Sequence, residues 1–401
     1  MKILQINKFY YLRGGSERHV FGLSDILEEQ GHKVIPFSMQ DPKNKKSEFE
    51  KYFVKPIDLH KFNIINIIKY FYNFDAVAKL KKLIKDQKPD IAHLHNITGQ
   101  LTPAIIRVLK KHNIPIIMTL HDYRLICPNS QLYSQREICY RCQGGKYYNC
   151  LLRKCVHNSF GKSLLAMLES YLNNKFLNYY KHIDLFIAPS QYMKEISARF
   201  GIPENKIKVI YNFIPKDINI SLKTDSKQTE NYLLYFGRLS KEKGIDVLID
   251  AFKEVKEYNL KIVGSGLEFE NIQQKIKKLS LTNIELLGPK YEKELQELIK
   301  GAKAVIIPSV WQENMPYSLL ESLDVGKIVI ASNIGGMKEV IIDGQNGFLF
   351  KPGDSIELVN KIKNLKIVDN KAIESNIKKT ALKFSIEEYV NSLTEIYKKL
   401  I

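Results

Sequence analysis

Residues 304–321 read AVIIPSVWQENMPYSLLE, and this stretch decides the fold. Ala304–Ser309 is an apolar run of strand length, whereas beyond Pro316 the apolar residues continue as a helical run. The segment is therefore a strand handing over to a helix through a polar turn. Glu313 stands in that turn, at the mouth of a sheet, and Glu321 lies farther along the helix. Two carboxylates so placed suit two hydroxylated parts of one elongated ligand. The helix N-terminus adds free backbone N–H groups as a cradle for phosphate between them.

Outward from this stretch the same handover recurs in both directions. Toward the N-terminus, strands are expected at Ile3–Asn7, Val34–Ser38, Ile91–His95, Ile116–His121, Leu185–Pro189 and Lys208–Tyr211, with helices that include Ser16–Gln30 and Gln191–Phe200. Strict alternation of strand and helix implies right-handed crossovers and a parallel sheet covered on both faces. The polar stretch Pro215–Glu230 interrupts the periodicity and reads as a linker. The pattern then restarts with Leu233–Phe236, Lys261–Val263, Ile284–Leu287, Ala304–Ile307 and Ile328–Ala331. Two doubly wound α/β domains follow, residues 1–214 and 231–385. Ligands in such folds bind at the carboxyl ends of the strands, so two of them facing each other are expected to enclose a cleft.

Composition narrows the functional classes. The chain has 401 residues, 44% of them hydrophobic, which is enough for two ordinary cores. No apolar run of about 20 residues appears, so no membrane-spanning helix is expected. The start, MKILQIN, runs straight into a strand without the pattern of a secretory leader, and a cytosolic location is the default expectation. A formal charge of +18 favours polyanions: nucleic acid, anionic headgroups or phosphorylated substrates. The lysines are dispersed and no aromatic-interleaved basic stripe stands out, so nucleic acid is disfavoured. Docking to an anionic bilayer is the sharper reading of the charge, and a solvated lysine-rich surface the plainer one.

Several motifs fall at the expected strand ends. Arg13-Gly14-Gly15-Ser16 opens the first helix, where two glycines allow positive φ and close approach to a phosphate or sugar. A plain turn is the competing reading, and the absence of a full Gly-x-Gly-x-x-Gly pattern argues against a dinucleotide cofactor. Gly237-Arg238 with Lys243-Gly244 sets a guanidinium fork and a point charge where a diphosphate leaving group needs neutralising, against the alternative of a solvated basic loop. Gly264-x-Gly266 repeats the glycine theme. His121, at the end of its strand, suits a hydrogen bond to a substrate hydroxyl or the carriage of a proton, with Asp122 beside it as a cap or structural contact. His93 and His95 alternate on one strand face and read equally well as satisfied core histidines.

Taken in this order and spacing, Gly14-Gly15, His121, Gly237-Arg238-x4-Lys243-Gly244, Gly264-x-Gly266, Glu313-x7-Glu321 and Gly335-Gly336 resemble the GT4 family of retaining glycosyltransferases over nearly the whole chain. The resemblance implies a GT-B architecture: two Rossmann-like domains, the first holding the acceptor and the second a nucleotide-sugar donor linked to UDP, GDP or ADP. It implies that the final run, within residues 386–401, crosses back to the first domain. Arg238 and Lys243 would grip the donor diphosphate, Glu313 the sugar hydroxyls and Glu321 the ribose. The backbone of Asn314, Met315, Pro316, Tyr317 and Ser318 would hold sugar and phosphates. Gly14, Gly15, Gly237, Gly264 and Gly266 would admit the donor, Leu287 would border the base, and His121 would lie near sugar and acceptor. Asn314 stands where the family often has Gly, and its tolerance of the left-handed region is expected to preserve the turn. The implied chemistry is front-face displacement without a catalytic metal or other cofactor, onto a glycan or lipid-linked acceptor in cell-surface polysaccharide assembly. A GT-B-like epimerase and a non-catalytic anion- or RNA-binding protein are the alternatives from other classes.

Cys139, Cys142, Cys150 and Cys155, after Cys127, form a cluster in an insertion spanning about 127–157. In a reducing compartment such spacing suits structural Zn²⁺, with free thiols or redox-formed bridges as the alternatives. Residues 163–180 carry an amphipathic helical pattern, read as core packing with a membrane-facing patch as the sharper option.

Overall fold

The computed structural model describes residues 1–58, 63–214, 230–366 and 370–401. The linker stretch lies, but for Glu230, outside the described residues. The strands are β1 (Lys2–Ile6), β2 (Lys33–Phe37), β3 (Ile91–Leu94), β4 (Ile116–Thr119), β5 (Tyr133–Ser134), β6 (Glu137–Ile138), β7 (Leu185–Ala188), β8 (Ile207–Val209), β9 (Tyr232–Phe236), β10 (Asn259–Val263), β11 (Ile284–Gly288), β12 (Ala304–Ile307), β13 (Ile328–Ser332) and β14 (Phe348–Phe350). Apart from the β5–β6 hairpin they make two parallel sheets, ordered β2-β1-β3-β4-β7-β8 and β11-β10-β9-β12-β13-β14. Every strand expected from the apolar runs is present with its ends shifted by a residue or two. The hairpin and β14 were not anticipated; the two-residue strands of the hairpin are too short to show an alternation.

The chain divides into two compact units. The first comprises residues 1–132, 139–211 and 386–401; the second comprises 133–138 and 212–385. The final helix Ile386–Leu400 thus belongs to the first unit, where it buries Ile386, Tyr389, Val390, Leu393, Thr394, Ile396 and Tyr397. The hairpin β5–β6 groups with the second unit, and Ile138 packs against that unit's core.

Sheet order positions the functional loops. In the second sheet the winding reverses between β9 and β12, whose register aligns Ala304 with Leu233 and Val305 with Leu234. In the first it reverses between β1 and β3, which align Gln5 with His93. At such a reversal the two neighbouring loops leave in opposite directions and open a crevice at the carboxyl ends of the strands. The polypeptide after β9 carries Arg238 and Lys243, and the polypeptide after β12 carries Glu313; that after β1 carries Gly14 and Gly15, and that after β3 carries His95.

Two expectations need correction. The pattern over residues 163–180 is not one helix: an α-helix, Phe160–Tyr171, passes into a π-turn, Leu172–Phe176, and then a separate short turn, Tyr179–His182. Within the π-turn the Asn174 amide donates to Leu125 O at 3.0 Å and to Tyr147 Oη at 2.9 Å. Neither Gly14 nor Gly15 uses positive φ; Gly14 is extended, at φ −170°. Among the described residues no helix is long and apolar enough to cross a membrane.

Candidate active site

In the second unit, three strand-end loops meet on Glu313. After β9 the chain is pinned to the loop after β10, Gly237 N donating to Val263 O at 3.0 Å and Leu239 N to Ser265 O at 2.9 Å, which places Gly264 and Gly266 beside Gly237. Lys241–Lys243 forms a tight turn that ends at Gly244, where φ is +69° and a Cβ would lie 1.9 Å from Pro308 O. Only glycine allows the two loops this close. Lys243 Nζ then reaches Glu313 Oε1 at 2.6 Å, Ser309 Oγ donates to the same oxygen at 2.6 Å, and the Lys243 ammonium lies 5.3 Å above the Trp311 ring. The loop after β13 closes the far side. Gly335, at φ +57°, leaves no room for a Cβ against Glu313 O, and Gly336 N donates to that carbonyl at 2.8 Å.

This cage controls the charge on Glu313. Burial by itself would push the carboxyl up, but the Lys243 charge, with hydrogen bonds from Lys243, Ser309 and Trp311, holds it below the usual range. Glu313 is therefore a buried carboxylate at neutral pH, paired with a lysine that is itself 17% exposed. Arg238, by contrast, is exposed and enters no ion pair among the described residues; its carbonyl accepts from Tyr235 Oη at 2.8 Å.

The turn from Asn314 to Ser318 is largely buried and leads into the helix Tyr317–Asp324, whose first turn has no side-chain cap. Asn212 Nδ2 donates to Met315 O at 3.0 Å and anchors the turn from beneath. The turn survives without the left-handed backbone that Asn314 was expected to tolerate, since Asn314 does not have positive φ. Pro316 precedes the helix in extended backbone, and Glu321 is buried on the helix itself. Leu287 is half-buried near the end of β11, next to Gly288, whose carbonyl accepts from Gly264 N at 2.9 Å.

In the first unit, the uncapped helix Gly15–Glu29 starts at Gly14. Glu17 in its first turn is buried and accepts from Asn7 Nδ2 at 3.2 Å and Ser16 Oγ at 3.0 Å, which ties the helix start to the end of β1. His121, two residues beyond β4, has its Nε2 2.8 Å from Nδ1 of the fully buried His95. Burial pushes His121 down to about 3, so the ring is neutral at physiological pH. Asp122 accepts from Arg124 N at 2.8 Å, a structural turn contact. His93 is a satisfied core residue, with Thr119 Oγ1 at 2.7 Å and Tyr397 Oη at 2.6 Å.

His19, His95 and His121 bring one ring nitrogen each within 4.8 Å of the others, the one such group among the described residues. Two imidazoles bound to one tetrahedral ion hold their nitrogens roughly 3.3 Å apart. The 2.8 Å separation of His95 and His121 is instead that of a hydrogen bond.

The cysteines of the insertion lie close together. Among the described residues no three of Cys139, Cys142, Cys150 and Cys155 bring their sulfurs all within 4.8 Å of one another, and none of the four is in a disulfide. Cys142 and Cys150 pack with Tyr147 into a small cluster with Cys155, Val156, Met167, Tyr171 and Phe200 around it. Desolvation raises the Cys142 thiol, and a hydrogen bond with Cys155 followed by burial raises the Cys150 thiol.

The residues missed in the sequence are the supports: Ser309, Trp311, Gln5, His19 and Tyr389. Trp311, the single tryptophan, two residues before Glu313, was the one available signal. The others become visible only when strands align.

Residues 13–217 match the model of Glycosyltransferase Family 4, and residues 217–384 that of Glycosyl transferases group 1. The chain is 32% identical over 336 residues to an uncharacterized 41.2 kDa protein in the cps region of Klebsiella pneumoniae, covering 79% of this chain and 81% of that one. It is 26% identical to an uncharacterized glycosyltransferase of Methanocaldococcus jannaschii over 100% of this chain and 99% of the other. In fold it is similar to a glycosyltransferase from Rickettsia africae, with a TM-score of 0.71, 20% identity, and 100% and 98% of the two chains covered.

Proposed function

The chain belongs to Glycosyltransferase Family 4, and from that premise we propose that it is a retaining enzyme moving a sugar from a nucleotide-sugar to a glycan or lipid-linked acceptor in cell-surface polysaccharide assembly. The observation that carries the reading is the Lys243–Glu313 pair, buried at the winding reversal of the second sheet and caged by Ser309 and Trp311. A lysine and a carboxylate held together in a crevice are two charged groups stored as an ion pair with no net charge. A donor diphosphate supplies a second anion for Lys243, and hydroxyls of the transferred sugar supply donors for Glu313.

In this reading Arg238 and Lys243 stabilise the charge that grows on the departing diphosphate, the role a divalent cation plays elsewhere. Glu313 grips the sugar, Glu321 the ribose, and the backbone of the turn 314–318 the sugar and phosphates. Gly14 and Gly15 leave room for the donor at the start of the first helix, and His121 serves the sugar and acceptor. Displacement takes place on the face the leaving group vacates, with the diphosphate taking the acceptor proton and no metal required. The net charge of +18 supports work at the anionic inner surface of the cell membrane, where a lipid-linked acceptor resides.

Screening UDP-, GDP- and ADP-sugars by thermal shift identifies the donor, since a ligand at 100-fold its dissociation constant stabilises by about 2.7 kcal/mol. With that donor, Arg238→Ala should lower kcat by on the order of 10²- to 10³-fold. The anomeric configuration of the product, read by NMR, decides retention. Unchanged rates in both Arg238→Ala and Glu313→Ala overturn the reading.

A further inference from the structure

His121 is not an isolated side chain. His95 Nδ1 lies 2.8 Å from His121 Nε2, and His95 Nε2 lies 2.6 Å from Gln5 Oε1. A neutral imidazole owns one N–H and one lone pair, so it donates once and accepts once. With the Gln5 amide oxygen turned toward His95 and the Gln5 Nε2 buried without a hydrogen-bond partner, His95 carries its proton on Nε2 and accepts at Nδ1; the opposite turn of the amide would reverse the protons along the line. His121 in turn must carry its proton on Nε2, and its Nδ1 is left as the lone pair.

We propose that His95, held by Gln5, is a positioning residue that locks His121 in the Nε2–H tautomer, so that His121 Nδ1 is presented as the hydrogen-bond acceptor for a substrate hydroxyl. The proposal rests on the reading of His121 given above. Neighbouring rings pack against both histidines. His93 stacks on His95 at 4.4 Å between centroids and is itself fixed by Thr119 and Tyr397. His19 meets the His121 ring edge-on at 4.9 Å. Tyr389 Oη, from the final helix, lies 3.1 Å from His19 Nε2 and sets that ring in turn. Burial also keeps the chain neutral, which the one-proton-per-contact count requires: His121 is pushed down to about 3, and His95 well below its ordinary value.

The tautomer is read directly by nitrogen-15 NMR on histidine-labelled protein, without substrate. The expected result is His121 protonated at Nε2 alone, with no titration between about pH 5 and 8. Gln5→Glu, whose carboxylate only accepts, should keep that spectrum. His95→Asn, which keeps an acceptor near the Nδ1 position, should retain transfer activity, whereas His95→Phe should lose roughly 10- to 100-fold in kcat/KM, the range seen when the partner orienting a histidine is removed. An Nδ1–H tautomer in the wild-type spectrum, or a tautomer change in Gln5→Glu, overturns the proposal, and neither measurement requires His95→Phe to fold. Full activity in a folded His95→Phe overturns it too. Unchanged transfer by His121→Ala overturns the role given to His121, a failure separable from the tautomer because the spectrum needs no turnover.

Discussion

The Lys243–Glu313 contact is where single residues matter most. Its energetics follow from burial: Glu313 is 5% exposed at its side chain, so removing the lysine strands a carboxylate in a cage built for an ion pair. Breaking a buried pair from one side costs about 3–5 kcal/mol, whereas removing both partners costs far less. Lys243→Met should therefore lower the denaturation midpoint sharply, and Lys243→Met with Glu313→Gln should recover most of that loss. Additive losses in the double-mutant cycle would show that the two side chains do not interact. At this same scale the sequence was most legible where chemistry depends on residue type. Arg238, Lys243, Glu313 and His121 are named by their positions at strand ends. It was least legible at Asn314 and Gly14, because φ is set by the surrounding backbone and not by what a residue tolerates.

Among the elements, the helix Tyr317–Asp324 carries a local conflict. Asp324 is its last residue, at the negative end of the helix dipole, and Asp324 Oδ2 is buried without a hydrogen-bond partner. Burial raises its carboxyl from 3.8 to about 6. Between those two values the folded protein binds more protons than the unfolded chain, so stability falls as pH rises through the window. Asp324→Asn should therefore melt higher than wild type at pH 7.5, by roughly 2–4 °C for each kcal/mol recovered. The difference should close as pH falls toward 4, as calorimetry across pH would show; a constant gap would mean that the charge is not the cause. The broken helix after Phe160 makes the complementary point. An apolar pattern reports which face is buried, but neither the π-turn at Leu172–Phe176 nor the contacts of Asn174 within it are encoded in a periodicity.

At the scale of the whole molecule, the final helix is part of the first unit's core. It carries Tyr389 to His19 and Tyr397 to His93, and buries Val390, Leu393 and Ile396 besides. Each large apolar side chain contributes about 1.5–3 kcal/mol when buried, and a domain's whole margin is about 5–15 kcal/mol. Truncation after Ser385 should consequently unfold the first unit while the second, whose core is made of other residues, keeps its own transition. Two-probe thermal melts or limited proteolysis would show this, and a truncated chain with an unchanged first transition would contradict it. The sequence by itself determined the two alternating α/β halves, the strand ends, the family and the residue types of the candidate site, because periodicity, turn residues and motif spacing are local properties of a chain. Tertiary structure alone decided which loops share a winding reversal, that Lys243 and Glu313 neutralise each other, that Cys142 and Cys150 pack with Tyr147, and that Gln5, His95 and His121 form one hydrogen-bonded line. Those facts depend on strand order and register, which bring together residues up to 116 positions apart in the line from Gln5 to His121 and which no local pattern specifies.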